Sequence, residues 1–233
     1  MHSPVPAVGN LLVSGGEVLI AQAGTAGSRD DANKAFDGGV TFDPVADNTS
    51  SIYYAMDVNF SALPTAATAG SYFAHLKSTT ANEFYARVGA NVEGAGAGQF
   101  RLSIVNETWN TGNSVEFPQD LDLDVTYRLV VRLNLATDQT TLWVNPSSES
   151  STSVTATDAI SYAGTIAQIA LRQGTSNTNG TGTPSGGPGD LAVDNLIVGT
   201  SFNQVSPVPE PEEYAAMFGA VLIGFGIWRR VRK

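Results

Sequence analysis

"IYYAMDVNF" runs from Ile52 to Phe60. Ile52, Tyr54, Met56, Val58 and Phe60 fall on one side of an extended chain, and Tyr53, Ala55, Asp57 and Asn59 on the other. A two-residue period with one apolar side is the pattern of a half-buried β-strand. The same period returns in "EFYARVG" (Phe84, Ala86, Val88), "QFRLSIV" (Phe100, Leu102, Ile104) and "TYRLVVRLN" (Tyr127, Leu129, Val131, Leu133). It continues in "TTLWV" (Leu142, Val144) and "DLAVDNLIV" (Leu191, Val193, Ile197). Shorter strand candidates are "GEVLIAQ", "SYFAHLK", "SVTAT" and "IAQIALR". Clusters of Gly, Asn, Asp, Ser, Thr and Pro between them supply turns, and "NLATDQTT" reads as a hairpin connection. No helical period persists before residue 205, so the body is all-β, an antiparallel two-sheet sandwich or barrel. "QGTSNTNGTGTPSGGPGD", Gln173 to Asp190, reads as a long connecting loop.

The 233 residues are enough for one sizeable domain. Charge is uneven, with eight bases against nineteen acids before residue 209 and four against three after it. An acidic body repels a phosphate backbone, so no nucleic-acid partner is expected. The chain has no cysteine, which removes disulfides, thiolate metal sites and cysteine nucleophiles, and its two histidines, His2 and His75, leave almost no material for metal clusters or histidine-based catalysis. No cofactor is expected.

"TYRLVVRLNLATDQTTLWVNPSS", "IAQIALRQG" and "GDLAVDNLIVGTSFNQV" resemble, in that order, bacterial surface domains of the concanavalin A-like jelly-roll class, related to laminin-G domains. "SYFAHLKSTTANEFYARV" fits the same pattern. The resemblance implies a jelly roll with a concave face over residues 1–205, and often glycan contact. Fold does not fix function.

The chain closes with "SPVPEPEEYAAMFGAVLIGFGIWRRVRK". Residues 206–213 read as a Pro-rich linker and 214–233 as a short C-terminal transmembrane helix with a basic tip. The apolar run Tyr214–Trp228 would span about 22 Å as a helix, short of the roughly 30 Å hydrocarbon layer. Its interfacial aromatics and the following Arg229, Arg230, Arg232 and Lys233 favour a membrane nonetheless. Pro209-Glu210-Pro211, an apolar helix and an arginine cluster, in that order, resemble the PEP-CTERM sorting signal. That resemblance implies a bacterial exported protein, held in the inner membrane and processed near the motif by an exosortase, then placed at the cell surface or outside it. Glu212 and Glu213 depart from the small or polar residues usual after the motif. No export signal is visible at the start, so an exported body implies a native beginning upstream.

Catalytic residues are sought first among carboxylates. Retaining glycosidases need two of them about 5–5.5 Å apart. The Glu-x-Asp-x-x-Glu of concanavalin-like glucanases is absent, and Glu83, Glu93, Glu107 and Glu116 are isolated. His75 falls, by alternation, on the face opposite Tyr72, Ala74 and Leu76, and has no Gly-x-Ser-x-Gly partner. Asp120, Asp122 and Asp124 share one side of an extended segment, an arrangement a calcium ion would use, but a solvated acidic edge is the plainer reading. Trp109 and Trp143 are candidates to stack on sugar rings, with Asn106 and Asn110 beside Trp109 as hydrogen-bonding partners. The expectation is a non-catalytic envelope or matrix protein associated with exopolysaccharide. The alternatives are a polysaccharide-acting hydrolase or lyase, whose residues meet only in three dimensions, and a protein–protein adhesion module.

Overall fold

The computed structural model describes residues 11–21, 31–64, 71–80, 83–110, 112–173 and 187–206. The strands in chain order are β1 (Leu12–Ser14), β2 (Glu17–Ile20), β3 (Asp31–Ala35), β4 (Ser51–Ala62), β5 (Ser71–Ser78), β6 (Phe84–Asn91) and β7 (Gln99–Val105). They continue with β8 (Val115–Glu116), β9 (Leu121–Asp122), β10 (Thr126–Asn134), β11 (Gln139–Val144), β12 (Ser153–Ala156), β13 (Ile166–Arg172) and β14 (Asp190–Gly199). One short helix, α1 (Phe202–Val205), follows.

Two antiparallel sheets face each other. The first has the order β1-β2-β14-β4-β10-β11-β12, and the second β3-β13-β5-β6-β7-β8 with β9 paired to β7. This is a jelly-roll-like sandwich, all-β as the alternation predicts and of the class that the resemblance implied. All five residues of the predicted apolar face of β4, Ile52, Tyr54, Met56, Val58 and Phe60, enter the core between the sheets. So do Phe100, Leu102 and Ile104 of β7 and the predicted faces of β10 and β11. The β10–β11 hairpin closes with Asn134 opposite Gln139, and Asp138 takes a left-handed turn at φ 52°.

The opposite side of β4 is not left to water. Tyr53 and Ala55 form a second cluster with Val130, Trp143, Phe202 and Val205. Helix α1 plugs the back of the first sheet, and Arg128 donates to the Val205 and Asn195 carbonyl oxygens at 2.6 and 3.0 Å to hold it there.

Alternation fails at one end of β14. Ile197 is 40% exposed, whereas Leu196 and Val198 pack on the core. Two residues, Asn195 and Leu196, lie opposite the single Met56, and Asn195 adopts φ 50°. A bulge of this kind moves every later side chain to the other face.

Among the described residues no helix is long and apolar enough to cross a membrane. The sorting motif Pro209, Glu210, Pro211, the basic tip and the predicted helix 214–233 all lie outside the described residues. The described residues therefore lend the expected transmembrane helix no support.

Candidate functional site

The site lies on the outer face of the second sheet, and two bulges build it. Strict alternation puts His75 and Tyr72 on opposite faces. In the structure Tyr72 pairs with Gly89 and Ala74 with Val88, so Phe73 is an extra residue in β5. Both Phe73 and Ala74 enter the core. Next, Leu76 pairs with Tyr85, so Ala86 and Arg87 of β6 together oppose His75. The β5 bulge brings Tyr72 and His75 to one face, with ring centroids 5.4 Å apart. The β6 bulge puts Phe84 against His75 at 4.5 Å and sends Tyr85 into the core in its place. The predicted shared face of Phe84, Ala86 and Val88 is thereby broken.

Arg87 reaches back over this face, its guanidinium 4.9 Å from the Tyr72 ring and 5.4 Å from the Phe84 ring. Arg172, on neighbouring β13, approaches Tyr72 to 4.4 Å and pairs with Asp31 at 3.9 Å. Trp109 lies 5.5 Å from Tyr72. A Cβ on Gly89 would strike the Trp109 ring and the Ser71 carbonyl oxygen, so only glycine lets the indole lie on the sheet here.

Electrostatics follow from this crowding. His75 is 2% exposed, and neither ring nitrogen has a hydrogen-bond partner. Burial, then the charges of Arg87, Arg172 and Lys77, lower its pKa to about 3. It is therefore a neutral imidazole at neutral pH. Burial also lowers the Arg87 pKa, since its charge sits among rings. The result is a local concentration of cationic side chains on a protein of net charge −10.

The loop carrying Trp109 is held by one carboxylate. Asp158 accepts the backbone N–H groups of Asn106, Glu107 and Thr108, at 2.8, 3.1 and 3.3 Å. Asn106 is wholly buried beneath it. Its side chain donates to the Asp138 and Asp158 carbonyl oxygens and accepts from the Thr140 N–H. It is committed to the fold, which corrects its assignment to sugar binding. Asn110 accepts from the Asn113 N–H at 2.9 Å and closes a turn. Trp143 is 2% exposed, edge-on to Phe202, with Nε1 donating to the Glu149 carbonyl oxygen. It sits on the other sheet under α1, so it offers no face to a sugar. Of the four predicted residues only Trp109 joins the cluster.

The three aspartates do not converge either. Asp120 pairs with Arg101 at 2.6 Å and accepts the Gly96 N–H, Asp122 accepts from Gln99, and Asp124 makes a left-handed turn at φ 58°. Among the described residues no group of three His, Cys, Asp or Glu is placed to hold a metal ion. The three carboxylates thus do not take the shared arrangement that the calcium alternative assumed. Of the isolated glutamates, Glu116 pairs with Arg101 and Glu107 accepts the Ser161 N–H.

No protein-family model matches this chain, and no curated protein does. Solved structures do match. An alginate lyase from Pseudomonas aeruginosa superposes with a TM-score of 0.50 at 10% identity, over 81% of this chain and 84% of that one. An alginate lyase from an Alteromonas species gives 0.47 at 11% identity, over 82% and 90%. A marine alginate lyase from Zobellia galactanivorans gives 0.45 at 15%, over 86% of each. At such identity the likeness to the Pseudomonas structure shows the fold. It also overturns the expectation that the chain is not an enzyme. That expectation rested on a missing hydrolase carboxylate pair, and the same fold carries a lyase, whose elimination chemistry needs no such pair.

Proposed function

We propose that this chain is a polysaccharide lyase acting on an acidic, uronate-containing glycan at the outer face of the second sheet. The observation that carries the reading is the cluster itself: a buried, neutral His75 without a hydrogen-bond partner, beside Tyr72, Arg87 and Arg172. Eliminative cleavage of a uronate requires three things. A cation must neutralise the carboxylate so that the adjacent C5–H becomes acidic, a base must take that proton, and an acid must protonate the departing oxygen. Arg87 and Arg172 supply the cations, His75 the base and the Tyr72 hydroxyl the acid. The C5–H bond breaks, its electron pair forms the C4=C5 double bond, and the C4–O bond breaks with its pair leaving on oxygen. The Tyr72 proton goes to that oxygen. The alginate lyase of the same fold supports this choice of substrate class. His75 is nearly enclosed, so the reading requires the side chains above it to part and admit the polymer.

The test is incubation of the protein with a panel of uronate polymers and neutral glucans, followed by the ultraviolet absorbance of the unsaturated sugar end. Product from one or more uronate polymers, none from neutral glucans and none with His75→Ala is expected. Binding without product in wild type would replace the lyase with a glycan-binding module. Neither binding nor product would remove the glycan reading altogether.

The C-terminal segment is proposed to act as an address for this body, delivering it to a bacterial envelope where acidic exopolysaccharide is met. Support comes from the order of Pro209-Glu210-Pro211, apolar run and arginines. Full-length protein with an export signal, expressed in an exosortase-bearing host, is expected to lose the segment. The Glu210→Ala variant is expected to stay intact in the inner membrane. Equal processing of both would sink the idea.

A further inference from the structure

The β6 bulge contains a residue that should not be comfortable there. Ala86 has φ 50°, in the left-handed region that a side-chain-bearing residue rarely enters. Such strain persists only where the surroundings hold it. Both backbone groups of Ala86 bond outside the β5–β6 ladder. Its N–H donates to the Asn106 carbonyl oxygen at 2.7 Å, and its own carbonyl accepts the Tyr54 hydroxyl at 2.7 Å.

Tyr54 is on β4, in the opposite sheet, and is fully buried. Its side chain crosses the core to reach the bulge. In a core this apolar a buried hydroxyl must find a partner. Here the partner is the one carbonyl whose direction decides where the next residue points. That next residue is Arg87, which lies over Tyr72 and Phe84 and takes part in depressing the His75 pKa.

We infer that Tyr54 is a positioning residue for the candidate site: its hydroxyl locks the Ala86 bulge across the core and so aims Arg87 over Tyr72 and His75. The inference rests on the site assignment above, but its readout needs no substrate. Arg87, Arg172, Lys77, Tyr72 and Phe84 are the charged and aromatic groups that surround His75 from β5, β6 and β13. With only two histidines in the chain, the imidazole proton signals in an NMR titration are easily assigned, His2 by substitution.

Tyr54→Phe removes one oxygen and keeps the ring. The expected result is a folded protein whose His75 titrates at higher pH than in wild type, as Arg87 leaves its place. Ala86→Val, whose β-branched side chain resists a left-handed φ, is expected to give the same shift with Tyr54 intact. Arg87→Gln sets the size of shift that complete loss of that charge produces. If either variant folds and His75 titrates as in wild type, the inference is wrong. If neither folds, the Tyr54–Ala86 contact is a folding element and not an aiming one, and the inference also fails. A lyase assay that finds no activity, beside a titration that moves as expected, would sink the proposed function and leave the aiming role standing.

Discussion

His75 is the residue on which pH should act most visibly. Its folded pKa of about 3 lies below the ordinary value near 6.5 because burial and three neighbouring cations disfavour the imidazolium. The unfolded chain therefore binds a proton at a pH where the folded chain does not. Stability from this group is complete above about pH 6.5 and is lost as pH falls toward about 3, at no more than roughly 1.4 kcal/mol per pH unit. Urea midpoints measured between pH 7 and pH 4 are expected to fall, and His75→Phe is expected to flatten that fall relative to wild type. Equal slopes would mean that His75 is not buried in its neutral form. Carboxylates give a second, separate acid dependence, since the Arg101 guanidinium holds Asp120 below its usual range; that contribution is present above the ordinary carboxylate pKa and lost below it. Comparing variants, and not wild type alone, separates the two.

At the scale of elements, a helix of four residues does a job that its length does not suggest. Phe202 and Val205 of α1 cover Trp143, Tyr53, Ala55 and Val130 on the back of the first sheet. Arg132 sits 5.5 Å over the Trp143 ring and pairs with Glu149, which also accepts the Tyr53 hydroxyl at 2.7 Å. Phe202→Ala empties the centre of this cluster and is expected to cost about 3 kcal/mol. Tryptophan emission is expected to shift to the red as Trp143 meets water, and thermal unfolding is expected to begin earlier. An unchanged emission maximum would show that α1 does not shield that ring. The strand bulges act differently. Those in β5, β6 and β14 each reassign which side chains enter and leave the core, and two of the three lie beneath the candidate site.

At the scale of the molecule, an acidic protein presents a basic patch on one sheet face. Long-range repulsion works against an anionic polymer while the local cations attract it. Salt screens both, over about 8–10 Å at physiological strength. The proposed function requires the local attraction to dominate once the polymer touches Arg87 and Arg172. Affinity for a uronate polymer, measured by titration at increasing salt, is expected to fall, and Arg172→Gln is expected to weaken it at every salt concentration. A rise with salt would place the binding surface elsewhere. Much of this architecture was legible in the sequence. The two-residue period of Ile52–Phe60 and its counterparts in β7, β10 and β11 dictated all-β structure and named the core face, because one side of a pleated strand must leave water. The absence of cysteine and the acid excess could likewise be read without coordinates. The site was not legible, because a bulge changes the face of a side chain with no mark in the local sequence: Ala86, not glycine, carries the left-handed turn. Trp109, Trp143 and Asn106 were indistinguishable as candidates until packing showed which lay on a sheet face, which under a helix and which inside a loop anchor. Periodicity is a property of neighbours along the chain, whereas the meeting of His75, Arg87, Arg172 and Tyr72 is set by register between strands, which only the tertiary structure decides.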